Sequence, residues 1–255
     1  MYARVFVLLL TLSGASAAAR TKAAEEDRVV DLPGAPSDLG YDMFAGYVHL
    51  GRINASSLFQ IDLIIFEWSI FHRYLTVNEA QDTKYFYWFA ECDGCDAATA
   101  PVALWTNGGP GCSGLLGFMT EQGPLRPNED GTLAQNPYAW NKVANYLFVE
   151  QPVGVGFSYS TTPTAYRDVG DDQAAALNYQ LILQFLAKFP EYAPNEFYIS
   201  AESYGGHYMP TLAKYIAEND PSRSKINFQV PSSVQFLFLS FTRICFKRDM
   251  VQALS

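Results

Sequence analysis

Along the middle of this chain, short apolar strands alternate with a glycine-rich loop, a long amphipathic helix and a sharp Ser/Gly turn. That order constrains the fold more than any other feature. A strand is predicted at 84–89 (KYFYWF), and a second at 101–105 runs straight into glycine-rich sequence. Residues 145–150 (NYLFVE) read as a buried strand, 167–189 as a helix, 196–199 as a strand and 204–219 as a second helix. Strands followed by helices favour parallel pairing with the helices packed on the sheet, so the expected class is α/β, a mostly parallel sheet with helices on both faces. Within 167–189, Ala174, Leu177, Leu181, Phe185 and Phe189 share one helical face. Asp168, Asp171 and Asp172 sit at its start, where the helix dipole favours negative charge. Pro190 stops it. Pro210 is expected to kink the second helix or to mark a late start. Residues 47–50 (YVHL) read as a further strand.

Bulk properties narrow the function classes. The 255 residues suffice for one α/β domain, and 49% hydrophobic with 15% aromatic content marks a globular chain. A formal net charge of −9 disfavours a phosphate backbone as partner, so no nucleic acid is expected. Residues 1–17 are expected to be a signal peptide: Arg4, a short apolar run at 5–12, then Ala15-Ser16-Ala17 as a small-x-small cleavage site. The run is too short to span a bilayer stably, so no membrane attachment is expected after cleavage. The mature chain would begin near Ala18, with an extended arm over 18–34, in a pathway where disulfides form. Cys92-Asp-Gly-Cys95 has the spacing of half a zinc site, but a zinc ribbon needs a second such pair. A local disulfide, or partners elsewhere for these two cysteines, is expected before a metal.

Two motifs carry chemistry. Ala201-Glu202-Ser203-Tyr204-Gly205-Gly206 follows a strand and opens a helix, as a nucleophile elbow does. The helix start aims backbone N–H groups at an anion forming on the serine. A serine N-cap is the plainer alternative. Ala201 occupies the usual first glycine and is expected to strain the turn if that position needs unusual dihedrals. Trp105-Thr-Asn-Gly-Gly-Pro-Gly-Cys-Ser-Gly114 offers consecutive backbone N–H groups after a strand, as an oxyanion hole requires. It lacks the Lys-Ser/Thr pair of a phosphate loop.

These two motifs, with 136–145 (NPYAWNKVAN), 151–159 (QPVGVGFSY) and 197–208 (FYISAESYGGHY), resemble the serine carboxypeptidase family over residues 35–50 and 75–228, about the N-terminal half of a member. The resemblance implies an α/β-hydrolase fold, incomplete at its C-terminal side, and a serine-type carboxypeptidase, a hydrolase acting through an acyl-enzyme with no cofactor or metal. It implies Ser203 as nucleophile and the N–H groups of Gly109 and Tyr204 as the oxyanion hole. Asn107, the Gly108 backbone, Glu121 and Glu202 would hold the terminal carboxylate of a peptide substrate, supported by Trp105. Two glutamates repel a third carboxylate unless one carries a proton, so recognition is expected to work best in acid. The implied setting is the secretory pathway, extracellular or an acidic vacuole or lysosome. Family members join the position of Cys112 by a disulfide to their C-terminal half.

A serine nucleophile needs a histidine and an orienting carboxylate, which in α/β-hydrolases follow it in the chain. After Ser203 stands His207, one turn along the same helix, where packing is the expected role; His49 and His72 receive none. The family's catalytic Asp and His would therefore lie beyond this sequence. Residues 51–74 interrupt the family pattern, and family-like sequence fades after 228. Translated intron sequence is the expectation for 51–74 and for the tail at 230–255, a natural insertion and a short isoform being the alternatives. Asn54-Ala-Ser56 is a glycosylation sequon inside the first stretch. Other readings of the whole are acyl transfer to an alcohol acceptor and an inactive binding protein on the same scaffold.

Overall fold

The computed structural model describes residues 18–46, 75–78, 82–167 and 169–229, with the backbone alone at 75–78. Among the described residues ten strands form: β1 Met43–Gly46, β2 Leu75–Asn78, β3 Thr83–Tyr85, β4 Tyr87–Ala90, β5 Val102–Thr106, β6 Leu125–Pro127, β7 Leu133–Gln135, β8 Asn145–Val149, β9 Tyr159–Ser160 and β10 Phe197–Ala201. Four α-helices accompany them: α1 Lys22–Glu25, α2 Leu115–Thr120, α3 Asp171–Lys188 and α4 Gly205–Asn219. The central sheet runs β1-β4-β8-β5-β10. β8, β5 and β10 pair in parallel, while β4 is antiparallel to both its neighbours. Four of the five strands therefore point the same way, as the alternating sequence pattern predicts. A small sheet β2-β3-β9 and a hairpin β6-β7 lie outside it.

β5 and β8 are buried at all five positions, as expected of parallel strands covered on both faces. The pleat divides their side chains. Val102, Leu104, Leu147 and Val149 join the larger core with α3 and α4. Ala103, Trp105, Tyr146 and Phe148 join a smaller core with Phe118 of α2 and Leu125 of β6. All five residues of the apolar face predicted for α3 are buried. Phe185 and Phe189 close on Phe89 of β4, ring centroids 4.9 and 5.6 Å away.

Local chemistry corrects several boundaries. α3 begins at Asp171 rather than 167, because a 3₁₀ turn, Pro163–Tyr166, comes first and Gly170 caps the helix. Asp168 and residues 47–50 lie outside the described residues. The aromatic strand at 84–89 is two strands that part at Phe86. There the Ser158 hydroxyl accepts the Phe86 N–H and the Phe86 carbonyl accepts the Glu150 N–H. α4 starts upstream of Pro210 and passes through it. The carbonyl that Pro210 cannot bond belongs to Gly206, which is partly open to water.

The arm at 18–34 is not simply extended. Thr21 caps the helical turn α1, its hydroxyl accepting the Ala24 N–H. Arg20 lies over the Phe44 ring and donates to Glu91 and Glu191, each at 2.5 Å. Asp27 is buried and paired with the equally buried Lys188 of α3, while the Tyr87 hydroxyl donates to the same carboxylate. Cys92 and Cys95 are joined as a local disulfide. No helix among the described residues is long and apolar enough to cross a membrane.

Candidate active site

The site forms where the parallel strands β5 and β10 end side by side, Thr106 opposite Ala201. Beyond Ala201 the chain reverses into α4 through Glu202, Ser203 and Tyr204. Ser203 is exposed and has φ +54°, in the left-handed region that a non-glycine residue rarely occupies. Strain expected at Ala201 falls here instead. Ala201 keeps strand geometry, and the space it needs is provided by Gly205, where a Cβ would come within 2.2 Å of the Ala201 Cβ. The turn thus tolerates alanine because the opposing residue has no side chain.

The loop after β5 lies directly against this turn. A Cβ on Gly108 would stand 2.4 Å from the Tyr204 nitrogen and 2.7 Å from the Glu202 carbonyl oxygen, so only glycine allows the contact. Gly109, at φ +107°, continues the loop, and a Cβ on it would meet the Gly111 and Cys112 nitrogens at 2.9 Å. Cys112 is buried in the same loop and is not a free thiol.

Four of the five residues expected to hold a carboxylate are connected. The Asn107 Oδ1 accepts hydrogen bonds from Trp105 Nε1 at 2.9 Å and from the Gly117 N–H at 3.0 Å. The opposite end of the same amide donates to Glu202 Oε1 at 3.2 Å, and that oxygen also accepts the Gly108 N–H at 3.3 Å. Both ends of the buried Asn107 are therefore fixed, which orients Glu202 beside Ser203. Glu121 caps the C-terminus of α2 and is exposed; its carbonyl accepts from Arg126 and Asn136. Together the loop and the turn place an exposed hydroxyl at a helix start beside a carboxyl held by Asn107 and the Gly108 N–H.

The family model for serine carboxypeptidases matches residues 66–232. This chain belongs to the serine carboxypeptidase family. Serine carboxypeptidase-like 26 of Arabidopsis thaliana is 39% identical over 208 residues, which cover 80% of this chain and 40% of the relative. P-(S)-hydroxymandelonitrile lyase of Sorghum bicolor is 39% identical over 207 residues, covering 80% and 35%. Kex1(delta)p, a prohormone-processing carboxypeptidase of Saccharomyces cerevisiae, aligns with a TM-score of 0.59 at 25% identity, covering 82% of this chain and 43% of that one. The chain spans about 40% of the length of the curated relatives it matches. The α/β-hydrolase architecture is shared with that carboxypeptidase.

In this serine carboxypeptidase family member His207 is exposed, its ring tilted against that of Tyr204 with centroids 4.8 Å apart. One residue near the site escaped the sequence reading. Glu150 follows β8 and is 1% exposed. Ser113, at the end of the glycine loop, donates its hydroxyl to Glu150 Oε1, and the Phe157 N–H donates to Oε2 at 2.6 Å. Burial pushes its carboxyl up to about 7, against the opposing pull of those two donors. In the sequence Glu150 stands at the end of the buried strand 145–150 and receives no role. Its contact with Gly156, where a Cβ would meet the carboxyl at 1.9 Å, exists only in the fold.

Proposed function

We propose that this chain carries the nucleophile and the carboxylate-binding site of a serine carboxypeptidase that releases C-terminal residues from peptides. Ser203 attacks the last peptide carbonyl, the N–H groups of Gly109 and Tyr204 receive the oxyanion, and an acyl-enzyme forms at Ser203. Asn107, the Gly108 N–H, Glu121 and Glu202 hold the substrate's terminal carboxylate, with Trp105 fixing Asn107. The observation that carries this reading is the left-handed Ser203 directly against the Gly108–Tyr204 contact. Strained non-glycine backbone at a strand-to-helix turn marks a residue held in place for chemistry. The base and its orienting carboxylate receive no assignment among the described residues.

Carboxylate binding between carboxyl groups requires a shared proton, so peptide hydrolysis is strongest in acid. The disulfide at Cys92–Cys95 supports a secretory, oxidising setting, extracellular or an acidic compartment. A second reading, a different reaction at the same serine scaffold, is favoured by the lyase among the relatives. Hydrolysis at pH 5 of a peptide with a free C-terminus, compared with its C-terminal amide, tests the proposal. Preference for the free carboxylate, lost in E202A, supports the peptidase. Equal rates for both, or release only from activated esters, contradict it.

A further inference from the structure

We propose that Glu150 is a positioning residue that clamps the oxyanion loop from beneath, holding it while its carboxyl is protonated and releasing it when the carboxyl ionises. The inference deepens the carboxypeptidase reading and rests on it for the role of Gly109. Glu150 joins two loops. One oxygen takes the hydroxyl of Ser113, four residues after Gly109, and the other takes the Phe157 N–H. The fit is close: Gly156, at φ +52°, lies against the carboxyl, and a Cβ on Gly114 would come within 2.1 Å of the Val149 carbonyl oxygen. The main chain of Glu150 is fixed as well, its carbonyl accepting the Ser158 hydroxyl.

The groups that face this carboxyl are neutral. From the glycine loop comes Ser113 and from the 152–158 loop Phe157 and Gly156; no charged side chain contributes to its shift among the described residues. Two phenols flank the loops. Tyr208 of α4 is raised to about 12 and Tyr85 of β3 is raised further, both chiefly by burial. Neither titrates in the range that matters. A buried carboxylate with no cation beside it draws in water, and water can reach it only if one of the two loops lifts. The loop resting on Ser113 carries Gly109.

This clamp acts whether or not the substrate has a carboxylate, which separates it from recognition by Glu121 and Glu202. Two measurements on the full chain decide it. Hydrogen exchange of peptides spanning 107–119 and 152–166, corrected for intrinsic rates, should lose protection roughly tenfold between pH 6 and pH 8, following the protonated fraction of a group near 7. Glu150→Gln, a permanently neutral isostere, should hold protection flat across that range. Equal pH dependence in the two proteins overturns the proposal. If Glu150→Gln does not fold, Ser113→Ala serves: with the tie between loop and carboxyl removed, protection of 107–119 should be low and independent of pH from 6 to 8, and an unchanged pH-dependent loss overturns the proposal. Labelling of Ser203 by a neutral phosphonate should fall over the same pH range in the unaltered protein and stay flat in Glu150→Gln. Absence of labelling at every pH in both proteins would overturn the catalytic reading, while exchange would still decide the clamp.

Discussion

Ser203 holds a backbone conformation that costs a non-glycine residue on the order of 1–3 kcal/mol, and the surroundings are built to hold it there. Gly108 and Gly205 are needed because any Cβ at either position would collide with the elbow. Ser203→Gly should therefore stabilise the chain by about 1 kcal/mol in urea unfolding while abolishing phosphonate labelling. A loss of stability in that variant would contradict the strained elbow. Asn107 is the opposite kind of residue, bonded at both ends of its amide and buried. Asn107→Ala leaves Trp105 Nε1 and the Gly117 N–H unpaired in the core and should cost about 2–4 kcal/mol. The serine and its loop were legible because glycines and a strand-to-helix junction are local signals. The role of Glu150 was not, since it depends on Ser113, 37 residues away until the loops fold together.

Among the elements, α3 bears most of the packing. Its five-residue apolar stripe, visible in the sequence at helical spacing, meets the aromatic side chains of β1 and β4. Phe185→Ala should cost about 3–5 kcal/mol, measured by urea unfolding. At its far end Lys188 is buried against Asp27, which ties the N-terminal arm to the sheet's helix layer. Lys188→Met removes the cation and leaves a buried carboxylate, for an expected loss of about 3–5 kcal/mol. A neutral result would show the arm to be a loose appendage. This docking was invisible beforehand. A polar stretch with proline and glycine resembles an extended linker, and Arg20 and Asp27 find their closest charged partners in Glu91, Glu191 and Lys188, over 60 residues away. The hairpin β6-β7 and helix α2 were also missed, being too short to establish a period.

For the whole molecule, the alternating order of strands and helices was sufficient to predict the sheet, because parallel pairing follows from the connections themselves. Its pH response follows from Glu150. A carboxyl raised from 4.5 to about 7 in the folded chain binds its proton more tightly folded than unfolded. Its contribution to stability is complete below about pH 4.5 and is lost as pH rises to about 7, a change of about 3 kcal/mol. Unfolding free energies across that interval should therefore decline more steeply in the unaltered protein than in Glu150→Gln, and equal slopes would refute the assignment. The central claim concerns Ser203, and the most direct test is covalent. The protein carrying this sequence is treated at pH 5 with a serine-reactive phosphonate, digested and mapped by mass spectrometry. The account predicts one adduct, on Ser203, whose formation is slowed by a peptide with a free C-terminus and not by the corresponding amide. No adduct, or an adduct indifferent to both peptides, would contradict it.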